Sequence, residues 1–494
     1  MTPLDRRQNI RNVIALIVAQ AVAAAAGFVA FTRIGSLFNV VELGRYSFAV
    51  SSTMLFGLLA ELGIRYVAIK EIAVDRTASV RVLRHAVAVR ALLSIATLAL
   101  LIVVSEAYLP WRNETRLLFL AGLVAVTQFG AEPLSWVLFG HGRVDIGAAV
   151  LVADRVLYVV AINAAAAVWH SAEALLLASF AANVVRSAIA WLWVRPLLKA
   201  SSKQPKWDPA FFRYLILDGM AIGAAVLVSV AYSQVSVVVA QSVTTPTQLG
   251  LYAVAIGLVN ILLIVPMALT NALFPALAAL VRADETRLLF RTMVRLTLAT
   301  VIPLAVVSYA FGERLLASWF GAQYLPAAPA LHILSIGMIA TGFNYLGRIL
   351  LLTQNRPWLE MWIDLGAAAV VIAGAWPAGA RYGSLGIATV YTVVEVVVLV
   401  VKSCFLFRAI GGVPQWRQLR SGLVAATLAL AALLVPGVWF KALLLIGSSI
   451  MLIGLPELGR LRRRAAGTEI LHAESADEAE LSGAGASNSL RGQR

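Results

Sequence analysis

Cysteine is all but missing from this chain. The single one, Cys404, lies in a hydrophobic run, so no disulfide forms within the chain and no thiolate metal site is expected. Charge is scarce: 13% of the residues are Asp, Glu, Lys or Arg, against about a quarter in soluble domains. No long polar stretch offers a water-soluble domain. The few histidines (His85, His141, His170, His332, His472) are scattered and show no metal-ligand spacing. No phosphate-cradling glycine loop is readable, which argues against ATP as the direct energy source. No Ser-His-Asp arrangement is readable either. These absences leave no cofactor, no metal and no enzyme chemistry to assign.

What the chain has in excess is apolar surface. Of its 494 residues 61% are hydrophobic, and the mean hydropathy is +0.85. One water-soluble core cannot hide that much, so most of the chain belongs in lipid. A bilayer core takes about 20 apolar residues per helix. Runs of that size fall near 12–35, 43–64, 86–109, 117–139, 146–168, 172–194, 214–241, 249–274, 293–311, 329–352, 360–380, 383–407, 421–436 and 438–456. The expected fold class is therefore all-α, a polytopic membrane protein with about 14 transmembrane helices. The last two runs are short and form a hairpin around Pro436-Gly437. The first run follows a basic segment without a small-residue cleavage site, and reads as a retained helix.

The formal net charge is +15. Its placement in short loops between apolar runs speaks for a membrane surface and against nucleic acid. With the N-terminus in the cytoplasm, about 29 Lys and Arg fall on that side and about 7 outside, and about 4 lie within helices. An even number of spans returns the C-terminus to the cytoplasm. The tail from about Ala465 is polar and acidic, and is expected to be disordered. The outside loops are all short, too short for a folded enzyme domain.

The chain repeats itself. Leu43-Gly44-Arg45-Tyr46 opens the second run and Leu249-Gly250-Leu251-Tyr252 opens the eighth, 206 positions on. Gly142-Arg143 after the fourth run answers Asn355-Arg356 after the tenth, and Asp154 in the fifth answers Asp364 in the eleventh. Six helices separate the copies, and an even number preserves orientation. The halves are therefore parallel repeats about an axis along the membrane normal. The expected organisation is an N-terminal six-helix lobe (1–200), a C-terminal six-helix lobe (201–410), an extra hairpin (411–464) and a cytoplasmic tail (465–494).

Leu43-Gly44-Arg45-Tyr46 with Gly63, Gly250-Leu251-Tyr252 with Pro275, and the stretch from Arg381-Tyr382-Gly383 to Ile387-Ala388-Thr389 carry a family likeness. From the first run through the twelfth the chain resembles the oligosaccharide flippases, the polysaccharide-export members of the multidrug/oligosaccharidyl-lipid/polysaccharide (MOP) superfamily. The resemblance implies two lobes around a central cavity working by alternating access. It implies passage of a lipid diphosphate-linked oligosaccharide from the cytoplasmic to the outer leaflet, for O-antigen, capsule or exopolysaccharide synthesis. The implied setting is the bacterial inner membrane, with membrane lipids, a polysaccharide polymerase and a chain-length regulator as partners and the flippase itself a monomer. The family also tends to carry cations on cavity-facing helices of its first half. Arg33, in Phe31-Thr32-Arg33-Ile34-Gly35, is the position most directly carried over.

An arginine at bilayer mid-depth costs about 2.5–3.5 kcal/mol on insertion scales, so it needs a partner or water. Arg155, Arg186 and Arg348 meet that description. Facing a wet cavity they would grip a diphosphate, because a guanidinium fork matches phosphate oxygens. Paired with acids they would only hold helices together. The candidate acids are Asp154, Glu132, Asp364 and Glu395, which are also the candidate coupling or gating groups. Glu132 precedes Pro133, where a kink suits a gate. Glu61 and Arg65 read as an i,i+4 ion pair, whereas Glu360 and Asp364 are a like-charged pair that needs a cation or a proton nearby. Lys402 reads as snorkelling to the interface. Two other functions fit the composition. A drug/cation antiporter of the same superfamily would need a carboxylate-dominated cavity. A membrane polymerase or glycosyltransferase would need a sizeable polar loop.

Overall fold

A computed structural model describes residues 19, 22–23, 25–61, 63–199, 207–279, 283–354 and 356–410. The thirteenth and fourteenth runs, the tail, and the side chains of Glu61 and Pro275 lie outside the described residues. The rest is helical: α1 (Ala25–Leu37), α2 (Val40–Glu61), α3 (Ile64–Val74), α4 (Ser79–Ala107), α5 (Thr115–Gly140), α6 (Val144–Val168), α7 (Ala172–Lys199), α8 (Pro209–Val243), α9 (Pro246–Ala279), α10 (Ala283–Trp319), α11 (Ala328–Thr353) and α12 (Pro357–Ile410). Seven helical stretches among the described residues are long and apolar enough to cross a membrane. Their outward faces are apolar, as at Leu92, Val103, Leu192 and Val400, which suits lipid rather than water. This is a multi-pass membrane protein.

Two helical stretches bend where glycine takes a positive φ. Gly63 (φ 65°) ends the second run early and starts α3 on a new axis. Glu61 closes α2 and Arg65 belongs to α3, so the two stand on separate helices, and the expected ion pair itself lies outside the described residues. Gly383 (φ 59°, ψ −136°) folds α12 into a hairpin with arms 357–382 and 384–410. Only glycine adopts that backbone freely. The two arms are the eleventh and twelfth runs.

The repeat is visible in the backbone. Two short 3-10 helices, Leu109–Glu114 and Ala322–Ala327, stand 213 positions apart before α5 and α11. Those helices end alike: Arg143 N–H donates to Leu138 C=O and Arg356 N–H to Leu351 C=O, both at 2.9 Å. Following the repeat, α1–α7 are called the N-terminal lobe and α8–α12 the C-terminal lobe.

The lobes meet where the Leu-Gly-x-Tyr copies touch. A Cβ on Gly250 would sit 1.9 Å from the Val40 carbonyl oxygen, and one on Gly44 would sit 2.8 Å from the Gly250 nitrogen. The motif recurs because two glycines let α2 and α9 close on each other. Around them one apolar cluster joins both lobes, with Phe38, Leu43 and Phe48 on one side and Leu251, Phe320 and Tyr324 on the other. Tyr324 Oη and Gln323 Nε2 both donate to the Phe38 carbonyl at 3.0 Å, and Trp111 Nε1 donates to Ser242 Oγ at 3.1 Å. This end, the Trp111 end, is sealed. At the opposite, His141 end the buried cores divide. Among the described residues one sits in the N-terminal lobe and takes in Phe211 and Leu215 of α8, with Phe212, Tyr214 and Ile216 packed against it, while the other joins α10 to α11. The start of α8 is fastened to the N-terminal lobe there. Asp208 N–H donates to His85 Nε2 at 3.0 Å, and Tyr214 Oη donates to Glu71 at 3.1 Å.

Candidate functional site

Between the lobes, walled by α1, α2, α6, α8 and α9, lies a cavity of about 300 Å³. Its N-terminal wall carries Arg155, Tyr158 and Tyr46. The two tyrosine hydroxyls are 2.7 Å apart. Arg155 lines this cavity, is 43% exposed and lies 3.8 Å from Asp154 Oδ2, a loose pairing.

Asp154 is shared. Arg186 Nε approaches its other oxygen at 3.4 Å and Arg186 Nη2 donates to the Gln128 carbonyl at 3.1 Å. Arg186 and Asp154, with Arg65 and Glu132, line a second cavity of about 290 Å³ inside the N-terminal lobe. Glu132 also borders a third, more apolar space of about 240 Å³ that reaches Val230 of α8. Its carboxylate is paired with Arg90 of α4, which is wholly buried. The Arg90 guanidinium lies between the rings of Phe129 and Trp136, 5.1 and 5.0 Å from their centres. Desolvated cation–π contacts of this kind contribute about 2 kcal/mol. A single buried charge would be prohibitive in this setting, and its carboxylate partner and the aromatic faces offset that cost.

Among these groups four guanidinium ions (Arg65, Arg90, Arg155, Arg186) face two carboxylates (Glu132, Asp154). The N-terminal half of the site is net positive. Arg33 stands apart from it: its Nε donates to Asn163 Oδ1 at 3.1 Å at an exposed position.

The C-terminal lobe treats its charges differently. Glu360 and Asp364 are both about 1% exposed. Lys402 Nζ lies 2.7 Å from Glu360 and 3.4 Å from Asp364, and Arg348 reaches the same two at 3.2 and 3.5 Å. Ser229 of α8 donates its hydroxyl to Asp364. Lys402 does not snorkel: it is the buried cation that the like-charged Glu360–Asp364 pair requires. Glu395 is buried separately, accepting from Tyr232 Oη at 2.9 Å and Asn344 Nδ2 at 2.7 Å. So of the candidate residues the fold gathers Arg155, Arg186, Asp154 and Glu132 around cavities, ties Arg348 to Asp364, and leaves Arg33 and Glu395 to other partners.

Sequence reasoning passed over Arg90. The signal was on α5, where Phe129, Glu132 and Trp136 follow at i, i+3 and i+7 and so share one face, ready to enclose a cation. Among the described residues no group of three or more His, Cys, Asp or Glu is placed to hold a metal ion.

The sequence matches the polysaccharide biosynthesis protein family over residues 10–281, more than half of the chain. The chain belongs to that family. Compared by sequence with curated proteins, this family member matches none. Its fold is that of the MOP transporters. It is similar to the lipid II flippase MurJ in an inward closed conformation, with TM-score 0.65 and 12% identity over 92% of this chain and 100% of that one. It is similar to a MOP superfamily transporter from Pyrococcus furiosus described as having a binding pocket of reverse polarity (TM-score 0.54, 12% identity, 81% and 95% covered). A MATE transporter from Vibrio cholerae gives TM-score 0.54 at 14% identity, with 82% and 96% covered.

Proposed function

We propose that this polysaccharide biosynthesis protein is a flippase for a lipid diphosphate-linked oligosaccharide. The observation that carries the reading is Arg155, a guanidinium at the middle of a membrane helix, lining a cavity between two repeat-related lobes. A charge in that place has no reason to be there unless water or an anion meets it. A diphosphate suits it, since charge-assisted hydrogen bonds are about twice as strong as neutral ones. Tyr46 and Tyr158 spend one hydroxyl hydrogen on their mutual bond, which leaves at most one to donate beside it. Arg186 holds Asp154, so Asp154 cannot fully neutralise Arg155.

The excess of positive loop charge supports a reading in which the His141 end, and both termini with it, face the cytoplasm of a bacterial inner membrane. The Trp111 end, where the lobes are sealed, then faces outward. The headgroup enters from the cytoplasmic side while its lipid tail stays in the bilayer, and the lobes rock about the Gly44–Gly250 contact to release it outside. A negative potential inside the cell favours that direction for an anion by about 2.3 kcal/mol per charge per 100 mV. The carboxylates that a drug-cation site would use are engaged: Asp154 by arginine, Glu132 by Arg90, Asp364 by Lys402 and Arg348.

The test is translocation of a polyprenyl diphosphate-linked saccharide in proteoliposomes, together with surface-polymer export in a strain lacking the gene. Arg155→Ala and Arg186→Ala are expected to insert normally and to reduce both. Full activity in both variants sinks the assignment of the cation site.

A further inference from the structure

The cavity between the lobes has two unlike walls. Arg155 and the tyrosines stand on the N-terminal side. Facing them from α8 and α9 are Ser233, Gln234 and Asn260, all uncharged. Asn260 sits in an otherwise apolar stretch of α9, whereas Ser233 and Gln234 belong to a polar stretch of α8 with Ser229, Tyr232 and Ser236, and an unsatisfied polar side chain is costly at membrane depth. Their own bonds account for only part of their capacity. Ser233 donates to the Val230 carbonyl at 2.6 Å, and Gln234 Nε2 donates to Ser233 Oγ at 3.1 Å. The Gln234 amide oxygen and the whole Asn260 amide find no partner among the described residues. Asn260 is exposed to the cavity. The repeat does not call for it: the matching place on α2, 206 positions earlier, is Met54. Asparagine here is thus particular to the C-terminal wall.

An amide presents donors and an acceptor together, which is what a sugar hydroxyl, itself both donor and acceptor, requires. Phe31, packed at the same cavity, supplies an aromatic surface for the apolar face of a sugar ring. A cavity of about 300 Å³ is at the small end of ligand sites, enough for a headgroup portion rather than a whole oligosaccharide. Building on the flippase reading, we infer that Gln234 and Asn260, aided by Ser233, form a sugar-reading wall opposite the phosphate-gripping one. Charge would hold any polyprenyl diphosphate, and the neutral wall would select among the sugars it carries.

The experiment measures binding to the purified full chain in nanodiscs. The probes are bare polyprenyl diphosphate and polyprenyl diphosphate bearing single glucose, galactose or N-acetylglucosamine residues. The variants are Asn260→Met, which installs the residue of the matching N-terminal position, Gln234→Leu and Arg155→Gln. Wild type is expected to bind at least one glycosylated probe more tightly than the bare diphosphate. Asn260→Met and Gln234→Leu are each expected to cut that advantage about three- to tenfold, the worth of one or two hydrogen bonds. Binding of the bare probe is expected to stay unchanged in both. Arg155→Gln weakens all probes alike. The inference is overturned if no sugar improves wild-type binding, or if the two neutral variants keep the sugar advantage or lose bare-probe affinity equally. Those results leave the phosphate grip standing. Wild type that binds no probe at all removes the flippase reading and the sugar wall together.

Discussion

Each lobe carries an acid and a base on corresponding helices, Asp154 with Arg186 in the first and Asp364 with Lys402 in the second, both pairs at 3.4 Å. Their surroundings differ. The N-terminal pair is 16% and 13% exposed and borders a cavity, while the C-terminal pair is 1% and 2% exposed and borders none that is described. The repeat shows how this came about. Arg348 stands 213 positions after Ser135, and Glu360 stands 210 after Val150. Ser135 and Val150 line the N-terminal cavity. In the C-terminal lobe the corresponding places hold a second cation and a second acid, which complete a closed quartet. The same scaffold therefore carries a net-positive hollow in one lobe and an internal brace in the other.

The sharpest way to break this comparison is to remove one charge from the brace. Lys402→Met leaves two carboxylates about 1% exposed with Arg348 alone to balance them. Stripping one partner from a buried ionic cluster costs about 3–5 kcal/mol. Thermal unfolding in detergent is expected to show a large loss of stability, and adding Glu360→Gln is expected to recover much of it. Arg186→Gln, in the half-open pair of the other lobe, is expected to cost clearly less. Equal losses in the two lobes would remove the distinction between brace and hollow.

Next in size is the functional half of the contrast. Arg155→Gln removes a group that touches Asp154 only at 3.8 Å and is 43% exposed, so unfolding temperature is expected to hold nearly constant. Translocation is expected to fall about ten- to a hundredfold, the value of one charged hydrogen-bonding partner. Arg348→Gln is expected to do the reverse, lowering stability and affecting transport only in proportion to the folded protein that remains. A transport defect in Arg348→Gln at normal stability would make the C-terminal quartet part of the transport machinery.

Much of this organisation was legible in the sequence, because lipid writes its demands as runs of apolar residues and the repeat copies its landmarks. The twelve runs up to residue 407 correspond to the described helices, and the hairpin turn falls at Gly383, where the eleventh and twelfth runs meet. The break at Gly63 was not legible, since an apolar run reads the same whether its helix is straight or interrupted. The partners of the charges were also hidden. Glu132 and Arg90 are 42 positions apart, Lys402 and Glu360 likewise, and nothing local says that they meet. Lys402 was read by its distance from the helix end, when what decides its place is the pair of carboxylates on the other arm of α12. The mixture of charges, with arginine prominent, reads as favouring an anionic substrate, but only the fold shows that Arg155 lines a cavity while Arg348 is tied to Glu360 and Asp364.

The two glycines of the repeated motif can be set against each other. An added methyl at Gly250 meets backbone oxygen at 1.9 Å, whereas at Gly44 the nearest atom is at 2.8 Å. Both meet backbone, which cannot move aside as a side chain can, but the overlap is far deeper at Gly250, so Gly250→Ala is expected to part the lobes at the Trp111 end more than Gly44→Ala does. Spin labels on the 3-10 helices Leu109–Glu114 and Ala322–Ala327 would read the separation. The Gly250 variant is expected to shift several-fold more molecules toward an open Trp111 end, with Gly44→Ala between it and wild type. No change in either would mean that the motif does not hold the seal.

The smallest expected effect tests the repeat at its loops. The residue that caps α5 is His141, and the one that caps α11 is Gln354 at the corresponding place. Ser79 donates its hydroxyl hydrogen to the Arg76 carbonyl at 2.6 Å and so accepts from His141 Nε2 at 2.8 Å. Burial, and secondarily the charge of Arg76, hold the His141 pKa below its usual value of 6.5. The fold therefore prefers the neutral ring. Above pH 6.5 folded and unfolded chains both carry it neutral, and its contribution to stability is complete. As pH falls below 6.5 the unfolded chain takes up the proton first, so stability drops until the folded ring titrates as well. Unfolding temperatures measured from pH 7.5 to 5.5 are expected to decline slightly in wild type and less in His141→Gln, which installs the C-terminal lobe's own cap. A pH slope that survives His141→Gln would locate the sensitivity elsewhere, and one that appears only after Gln354→His would show that the two loops are interchangeable in position but not in charge.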